Sequence, residues 1–153
     1  MPFSERSSCS QPFSNTSKWY SSLISGLLFA LLTSSFFYSI TNSVTKSVGL
    51  TVANQGCPNL AGLFLHAILF MIFMRMLLQI ENISNCRSNK DKWIVSVMGG
   101  TLFLVVASPF LYDVSNTISN SMGIVISNNG CPNSAGILVH ALIFTLIVRL
   151  LMR

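Results

Sequence analysis

The chain contains the sequence GCPNLAGLFLHA at residues 56–67, and GCPNSAGILVHA follows 74 residues later, at residues 130–141. The same shift aligns residues 18–79 with 92–153 without a gap, and 24 of the 62 aligned pairs are identical. A fixed period of this length predicts tandem copies of one structural unit. We divide the chain into a polar, flexible tail (1–17), repeat 1 (18–79), a linker (80–91) and repeat 2 (92–153).

The composition is that of a membrane protein, with 51% hydrophobic and only 8% charged residues. Four stretches are nearly free of charge: residues 23–40, 60–80, 93–112 and 135–152. Each is long enough as a helix, at about 1.5 Å per residue, to cross a hydrocarbon layer of about 30 Å. We predict an all-α polytopic membrane protein with four transmembrane helices. Two crossings return each unit to its starting side, so the two helical-hairpin repeats run parallel.

The charge distribution predicts the orientation. Most basic residues flank the spans on one side, and the opposite loops hold only Lys46 and Asp113. The excess of lysine and arginine places both termini and the linker on the cytoplasmic side. The net charge is +5, but the basic residues do not form a stripe along the sequence, so nucleic-acid binding is not predicted.

A polar elbow joins the two spans of each unit, at residues 41–55 and 115–129. Val44, Val48 and Val52 recur every four residues. This spacing is compatible with a first helix that continues out of the membrane, and equally with a separate amphipathic helix on the membrane surface. Pro58 and Pro132 suit the first turn of the next helix. We expect the elbows to offer amide and hydroxyl groups to a partner.

His66 and His140 are the main candidates for chemistry, because an ionisable residue within a span is costly and needs a partner. Each follows a glycine, Gly62 or Gly136, by four residues on one helical face. The favoured interpretation is helix packing, in which a neutral histidine bonds a neighbouring helix and the glycine lets the backbones approach. The alternative is axial ligation of haem or chlorophyll by the two histidines.

Two further pairs occupy equivalent positions in the repeats. Cys57 and Cys131 fall on the non-cytoplasmic side, where they form either a disulfide across the pseudo-two-fold axis or two free buried thiols. No further cysteine or histidine stands beside Cys57 or Cys131 at the spacing of zinc ligands, so a zinc site is not predicted. Arg75 and Arg149 lie about 13 Å beyond the histidines, and we expect them to contact lipid headgroups at the cytoplasmic end.

No catalytic constellation is evident in the sequence. It has no paired carboxylates within a span, no phosphate-binding glycine loop and no metal motif, and its four acids lie at span ends or outside. We therefore predict no enzymatic activity, no metal and no cofactor. A small channel or transporter is a further alternative, which the missing acids and the parallel repeat both disfavour.

The second repeat carries ASPFLY at residues 107–112, the GCPNSAGILVHA block, and RLLM at residues 149–152. It resembles short membrane proteins of large (nucleocytoplasmic) DNA viruses of algae and protists. In those, a Ser-Pro-Phe-x-Tyr segment precedes Gly-Cys-Pro-x-x-x-Gly-x-x-x-His and an apolar helix. The resemblance covers about 60 C-terminal residues and, more weakly, the first repeat, where Ser35 replaces the proline.

The resemblance implies a structural protein of the internal virion membrane beneath an icosahedral capsid. Its partners would be the lipid bilayer and capsid or other virion membrane proteins. The duplication departs from the short forms and makes pairing of this chain with itself unnecessary. Homo-oligomers and hetero-oligomers both remain open.

Overall fold

The computed structural model describes residues 14–54, 57–80 and 89–152. Within them the chain forms six α-helices and two short antiparallel β-hairpins, β1 with β2 and β3 with β4. The elements are α1 (Asn15–Thr33), α2 (Ser35–Lys46), β1 (Ala53–Asn54), β2 (Cys57–Pro58), α3 (Leu60–Ile80), α4 (Asn89–Val106), α5 (Pro109–Asn120), β3 (Ser127–Asn128), β4 (Cys131–Pro132) and α6 (Ser134–Leu151). The prediction of a mainly helical protein is confirmed for this part of the chain. The hairpins were not predicted.

Among the described helices, α3 and α6 are each long and apolar enough to cross a membrane alone. Helices α1 and α2 pass the same criterion only as a pair bent by 58°, and α4 and α5 as a pair bent by 53°. By length and composition the described part of the chain therefore has two candidate spans, or up to four if each bent pair is one span.

The prediction of single helices over 23–40 and 93–112 is wrong, because a serine ends each of them early. The Ser34 hydroxyl donates to the Leu31 carbonyl at 2.6 Å and accepts from the Phe37 N–H at 3.2 Å. It thereby closes α1 and caps the N-terminus of α2. Ser108 makes the matching pair of bonds between α4 and α5.

A proline strengthens the second break without being necessary for a break. Pro109 is the first residue of α5 and has no N–H with which to continue α4. In the first half Ser35 stands at that position, and the chain still bends at Ser34. The serine cap is therefore the feature common to both bends.

Helix α1 packs mainly against α6, and α3 mainly against α4. Glycines make these approaches close. A Cβ on Gly26 of α1 would lie 1.9 Å from Oγ1 of Thr145, and one on Gly100 of α4 would lie 2.3 Å from Cγ of Met71. The first helix of each half thus packs closely against the last helix of the other half, α1 against α6 and α4 against α3.

Four phenylalanines fill the centre of the bundle. Phe29 stacks on Phe144 with ring centroids 4.8 Å apart, and Phe103 lies 5.3 Å from Phe29 and 5.2 Å from Phe70. All four rings are fully buried. The members of each equivalent pair, 29 with 103 and 70 with 144, are 74 positions apart in the sequence.

Of the two interpretations of the elbows, the structure has the separate amphipathic helix. Helices α2 and α5 end before Gly49 and Gly123, whose φ angles of +79° and +77° turn the chain toward the hairpin. Residues 15–17 of the predicted tail belong to α1, and residues 89–91 of the predicted linker belong to α4. Ile80, the first residue of the predicted linker, ends α3, and Ser14 precedes α1; residues 1–13 and 81–88 lie outside the described residues.

Candidate functional site

Each histidine bridges three helices. Nδ1 of His66, on α3, donates to the Leu32 carbonyl oxygen of α1 at 2.7 Å, and Nε2 lies 3.0 Å from the Thr41 hydroxyl of α2. This arrangement, with the Tyr38 ring described below, is the first histidine cluster. The second is built from equivalent positions, with His140 bonded to the Val106 carbonyl at 2.8 Å and to the Ser115 hydroxyl at 3.1 Å.

The bend in each first helix provides the carbonyl acceptor. The last carbonyls of a helix have no partner within it, and a buried one needs a donor from elsewhere. Leu32 and Val106 lie in the last turn of α1 and α4, where the serine breaks end the helical ladder. The histidines therefore satisfy backbone groups that the bends leave open.

The acceptors determine the histidine tautomer. A carbonyl oxygen can only accept, so we infer that Nδ1 carries the proton and that Nε2 of the neutral ring accepts from the hydroxyl. Ser115 can give its proton to His140 in this way. The Thr41 hydroxyl has two acceptors for one proton, Nε2 of His66 and the Phe37 carbonyl at 2.6 Å. Nδ1 of each histidine is bonded to a backbone carbonyl, and Nε2 lies within hydrogen-bond distance of a hydroxyl.

A tyrosine closes one face of each imidazole. The Tyr38 ring stacks on His66 and the Tyr112 ring on His140, both with centroids 3.8 Å apart. Both tyrosines and both histidines are buried. Among the described residues neither phenolic hydroxyl has a hydrogen-bond partner, although that of Tyr112 faces Thr33. A ligand bound axially at Nε2 would have to break the bond to the hydroxyl of α2 or α5.

The structure places Gly62 and Gly136 against the elbow and not against a neighbouring helix. A Cβ on Gly62 would lie 2.0 Å from the Val52 carbonyl oxygen, and one on Gly136 would lie 2.1 Å from that of Ile126. The expected helix-to-helix approach is therefore replaced by a helix-to-loop approach. The glycine one turn before each histidine thus lies directly against the backbone of the elbow.

Asparagine amides hold the elbows in place. Oδ1 of Asn42 accepts from the N–H groups of Val52 and Ala53 at 3.0 and 3.4 Å. Asn59 caps α3 through the Gly62 N–H at 2.8 Å, and its amide donates to the Thr51 carbonyl at 2.7 Å. Asn116 and Asn133 repeat these bonds in the second half. These four amides make bonds within the chain, and the offer of other elbow amide and hydroxyl groups to a partner stays a prediction.

The same caps correct the expected position of the prolines. Pro58 and Pro132 lie in the short strands β2 and β4, before the helices begin. The asparagine that follows each proline takes the N-cap, a position that suits its short polar side chain.

The hairpins bring the two elbow cysteines together. Strands β2 and β4 lie against each other, and Cys57 and Cys131 are joined by a disulfide with Cα atoms 5.4 Å apart. This is the bonded one of the two expected arrangements. The bond links the two halves across 74 residues of sequence.

Each arginine packs on a tryptophan from the opposite half. Cζ of Arg75 lies 5.6 Å from the Trp93 ring centroid, and its Nη2 donates to Asn89. Arg149 lies 5.3 Å from the Trp19 centroid and donates to Asn15 at 3.1 Å. Cation–π contacts of this kind join α3 to α4 and α6 to α1. Contact of these arginines with lipid headgroups stays a prediction.

Several residues of the site escaped the sequence analysis, namely the capping serines, the elbow asparagines and the packing glycines Gly26 and Gly100. All of them are identical between the two aligned segments, which was the available signal. Within residues 14–54, 57–80 and 89–152, no group of three or more His, Cys, Asp or Glu side chains could hold a metal ion. Comparison with protein-family models, curated proteins and solved structures found no match.

Proposed function

We propose that the chain is a non-catalytic, structural membrane protein of a large DNA virus particle, which anchors or organises the internal virion membrane beneath the capsid. In this proposal four crossings form two tandem, parallel helical-hairpin repeats. Helices α1 and α4, each continued by the bent helix α2 or α5, make the first crossing of each repeat, and α3 and α6 make the second. The proposal rests on the viral resemblance and on the use the chain makes of its polar groups.

One observation carries the non-catalytic part. The polar side chains of the repeated motif bond to other parts of the chain. The histidines bond to carbonyls at helix ends, Asn42 and Asn116 bond to elbow N–H groups, and the cysteines join the two halves. A catalytic or ligand-binding group needs at least one atom free for its substrate. In the two histidine clusters the imidazole nitrogens lie within hydrogen-bond distance of groups of the chain itself, and the buried Tyr38 and Tyr112 hydroxyls are the polar atoms left without a partner among the described residues.

The packing supports an anchoring role. Each first helix lies on the last helix of the other half, and the disulfide and the arginine–tryptophan contacts link the halves at opposite ends. The halves therefore interlock instead of standing side by side. A rigid unit of this kind suits a protein whose task is to hold a position in a bilayer.

The polar sides of α2 and α5 are the surfaces we assign to the capsid or to another virion protein. They carry exposed residues that the elbow does not use, among them Ser39, Ser43 and Lys46 on α2 and Asp113 and Thr117 on α5. The arginines and tryptophans then mark the cytoplasmic-equivalent end, with both termini and the linker, in agreement with the positive-inside rule.

Neither alternative function gains support from a specific contact. Haem or chlorophyll ligation would require His66 and His140 to give up bonds to Thr41 and Ser115. A channel or transporter would require a polar path, and the centre of the bundle is filled by four buried phenylalanines.

Cross-linking mass spectrometry of intact, purified virus particles tests the proposal. An amine-reactive cross-linker should join Lys46, at the end of α2, to a capsid or other virion protein. Lys92, on the other side of the proposed membrane, serves as the matched control and should give no link to the same protein. Absence of the chain from particles, or capsid links from Lys92 alone, would contradict the assignment. A visible absorbance band in the extracted protein would favour the cofactor alternative.

A further inference from the structure

Helices α2 and α5 each have three sides with different chemistry. At about 100° per residue, Tyr38 and Asn42 of α2 face the bundle, and Ser39, Ser43 and Lys46 form an exposed polar side. The third side is an apolar stripe of residues spaced by four, which continues into the turn after each helix. Its members, with their exposed fractions, are Phe36 (70%), Ile40 (46%), Val44 (67%) and Val48 (79%), and Phe110 (75%), Val114 (40%), Ile118 (63%) and Met122 (69%).

The histidine contact fixes the depth at which α2 begins. His66 lies six residues into α3, about 9 Å from its start, and it touches the end of α1. Helix α2 is 12 residues long, which corresponds to about 18 Å. Inclined by 58° to α1, it advances about 10 Å along the bundle and about 15 Å sideways. It therefore ends near the level at which α3 begins.

The apolar stripe of α2 continues a stripe on α1. Leu23, Leu27 and Leu31 are exposed on α1 at the same spacing of four, and Phe36 begins the second stripe just past the bend. On a helix that crosses a bilayer, exposed leucines of this kind face the acyl chains. The same medium then covers the stripe of α2, while the polar side of α2 turns away from it.

The geometry points to α2 and α5 as interfacial helices, docked on the boundary between acyl chains and headgroups in one leaflet of the bilayer that the chain crosses. Their apolar stripes face the acyl chains and their polar sides face water. Interfacial amphipathic helices bury their apolar face about 5–10 Å below the headgroups, and α2 advances about 10 Å along the bundle between its two ends. The inference requires only that the chain crosses a bilayer, and it holds whether or not that bilayer belongs to a virion.

Tryptophan quenching in lipid vesicles tests this inference on the full chain. In a Trp19→Phe, Trp93→Phe background, Val44→Trp places the probe on the apolar stripe, and Ser43→Trp places it on the adjacent polar side. Phospholipids brominated near the top of the acyl chain should quench Val44→Trp several-fold more than Ser43→Trp. Aqueous acrylamide should give the opposite order. Leu27→Trp, on the α1 stripe, reports whether the chain is inserted at all.

A second matched pair guards against a misfolded variant. Ile118→Trp and Thr117→Trp occupy the equivalent positions on α5 and should show the same contrast. Equal acrylamide quenching of both members of a pair would overturn the inference, because the stripe would then face water. Protection of the stripe probe from both quenchers would overturn it as well, since a second copy or another protein would then cover the stripe. Loss of bromine quenching at Leu27→Trp would instead contradict membrane insertion.

Discussion

Replacing Gly62 with alanine tests whether the glycine before the histidine seats the elbow. The new Cβ would lie 2.0 Å from the Val52 carbonyl oxygen, whereas carbon–oxygen contacts need about 3.3 Å. The elbow would have to move by about 1.3 Å, and it would strain the bond at 3.2 Å from the Asn59 N–H to the same carbonyl. Overpacking costs about 1–3 kcal/mol, and the backbone obstacle favours the upper end. Alanine regains about 1 kcal/mol of helix propensity, so the expected net loss is about 2 kcal/mol.

The stability of Gly62→Ala can be measured by titrating the purified protein in mild detergent with SDS, following helix content by circular dichroism. Gly99→Ala is the matched control, because Gly99 also lies within a helix but its Cβ would meet only the edge of the Phe70 ring, at 3.2 Å. The control should unfold within about 0.5 kcal/mol of the wild type or be more stable, because helix propensity favours it. If Gly62→Ala proved as stable as Gly99→Ala, the elbow could not lie where the structure places it.

The remaining predictions concern the other contacts between helices. The single variant Cys57→Ser and the double variant Cys57→Ser/Cys131→Ser should lose the same stability, up to about 4 kcal/mol for a closed loop of 74 residues. The reduced wild-type protein should have the same stability as these variants. A larger loss in the double variant than in the single variant would argue against the disulfide. Phe103→Ala should cost about 3–5 kcal/mol in the same SDS titration without creating ion flux in liposomes, and flux would favour the channel alternative. His66→Asn, which keeps a donor for the Leu32 carbonyl, should be more stable than His66→Leu. The reverse order would show that the bond from His66 to Leu32 does not stabilise the fold.

The arrangement of helices follows in large part from signals that the sequence carries. Charge-free stretches at a period of 74 residues predicted the helical character and the positions of α3 and α6. The bend at Ser34 was missed because the stretch 23–40 holds no proline and its polar residues are hydroxyl-bearing ones, whereas in the stretch 93–112 Pro109 was an available signal for a break. Serine is tolerated within helices, and only the local bonds of Ser34 and Ser108 show that these residues act as caps.

The candidate site shows a similar limit. The sequence singled out His66, Gly62 and Cys57 by type and repetition, but not their contacts. The carbonyl of Leu32 becomes an acceptor only because α1 ends there, and Gly62 meets Val52 only because Asn42 folds the elbow back. Contacts that depend on a bend and a loop cannot be predicted from the spacing of apolar residues along the helices.

The proposed function assigns the histidines to the fold and not to a bound ligand. Nitrogen NMR of ¹⁵N-histidine-labelled protein in lipid bilayers tests it directly, with His66→Asn used to assign the two sets of signals. We expect both imidazole rings to be neutral, with Nδ1 protonated and hydrogen-bonded and Nε2 unprotonated. Signals from Nε2-protonated rings, or nitrogens shifted by a bound metal or pigment, would contradict it.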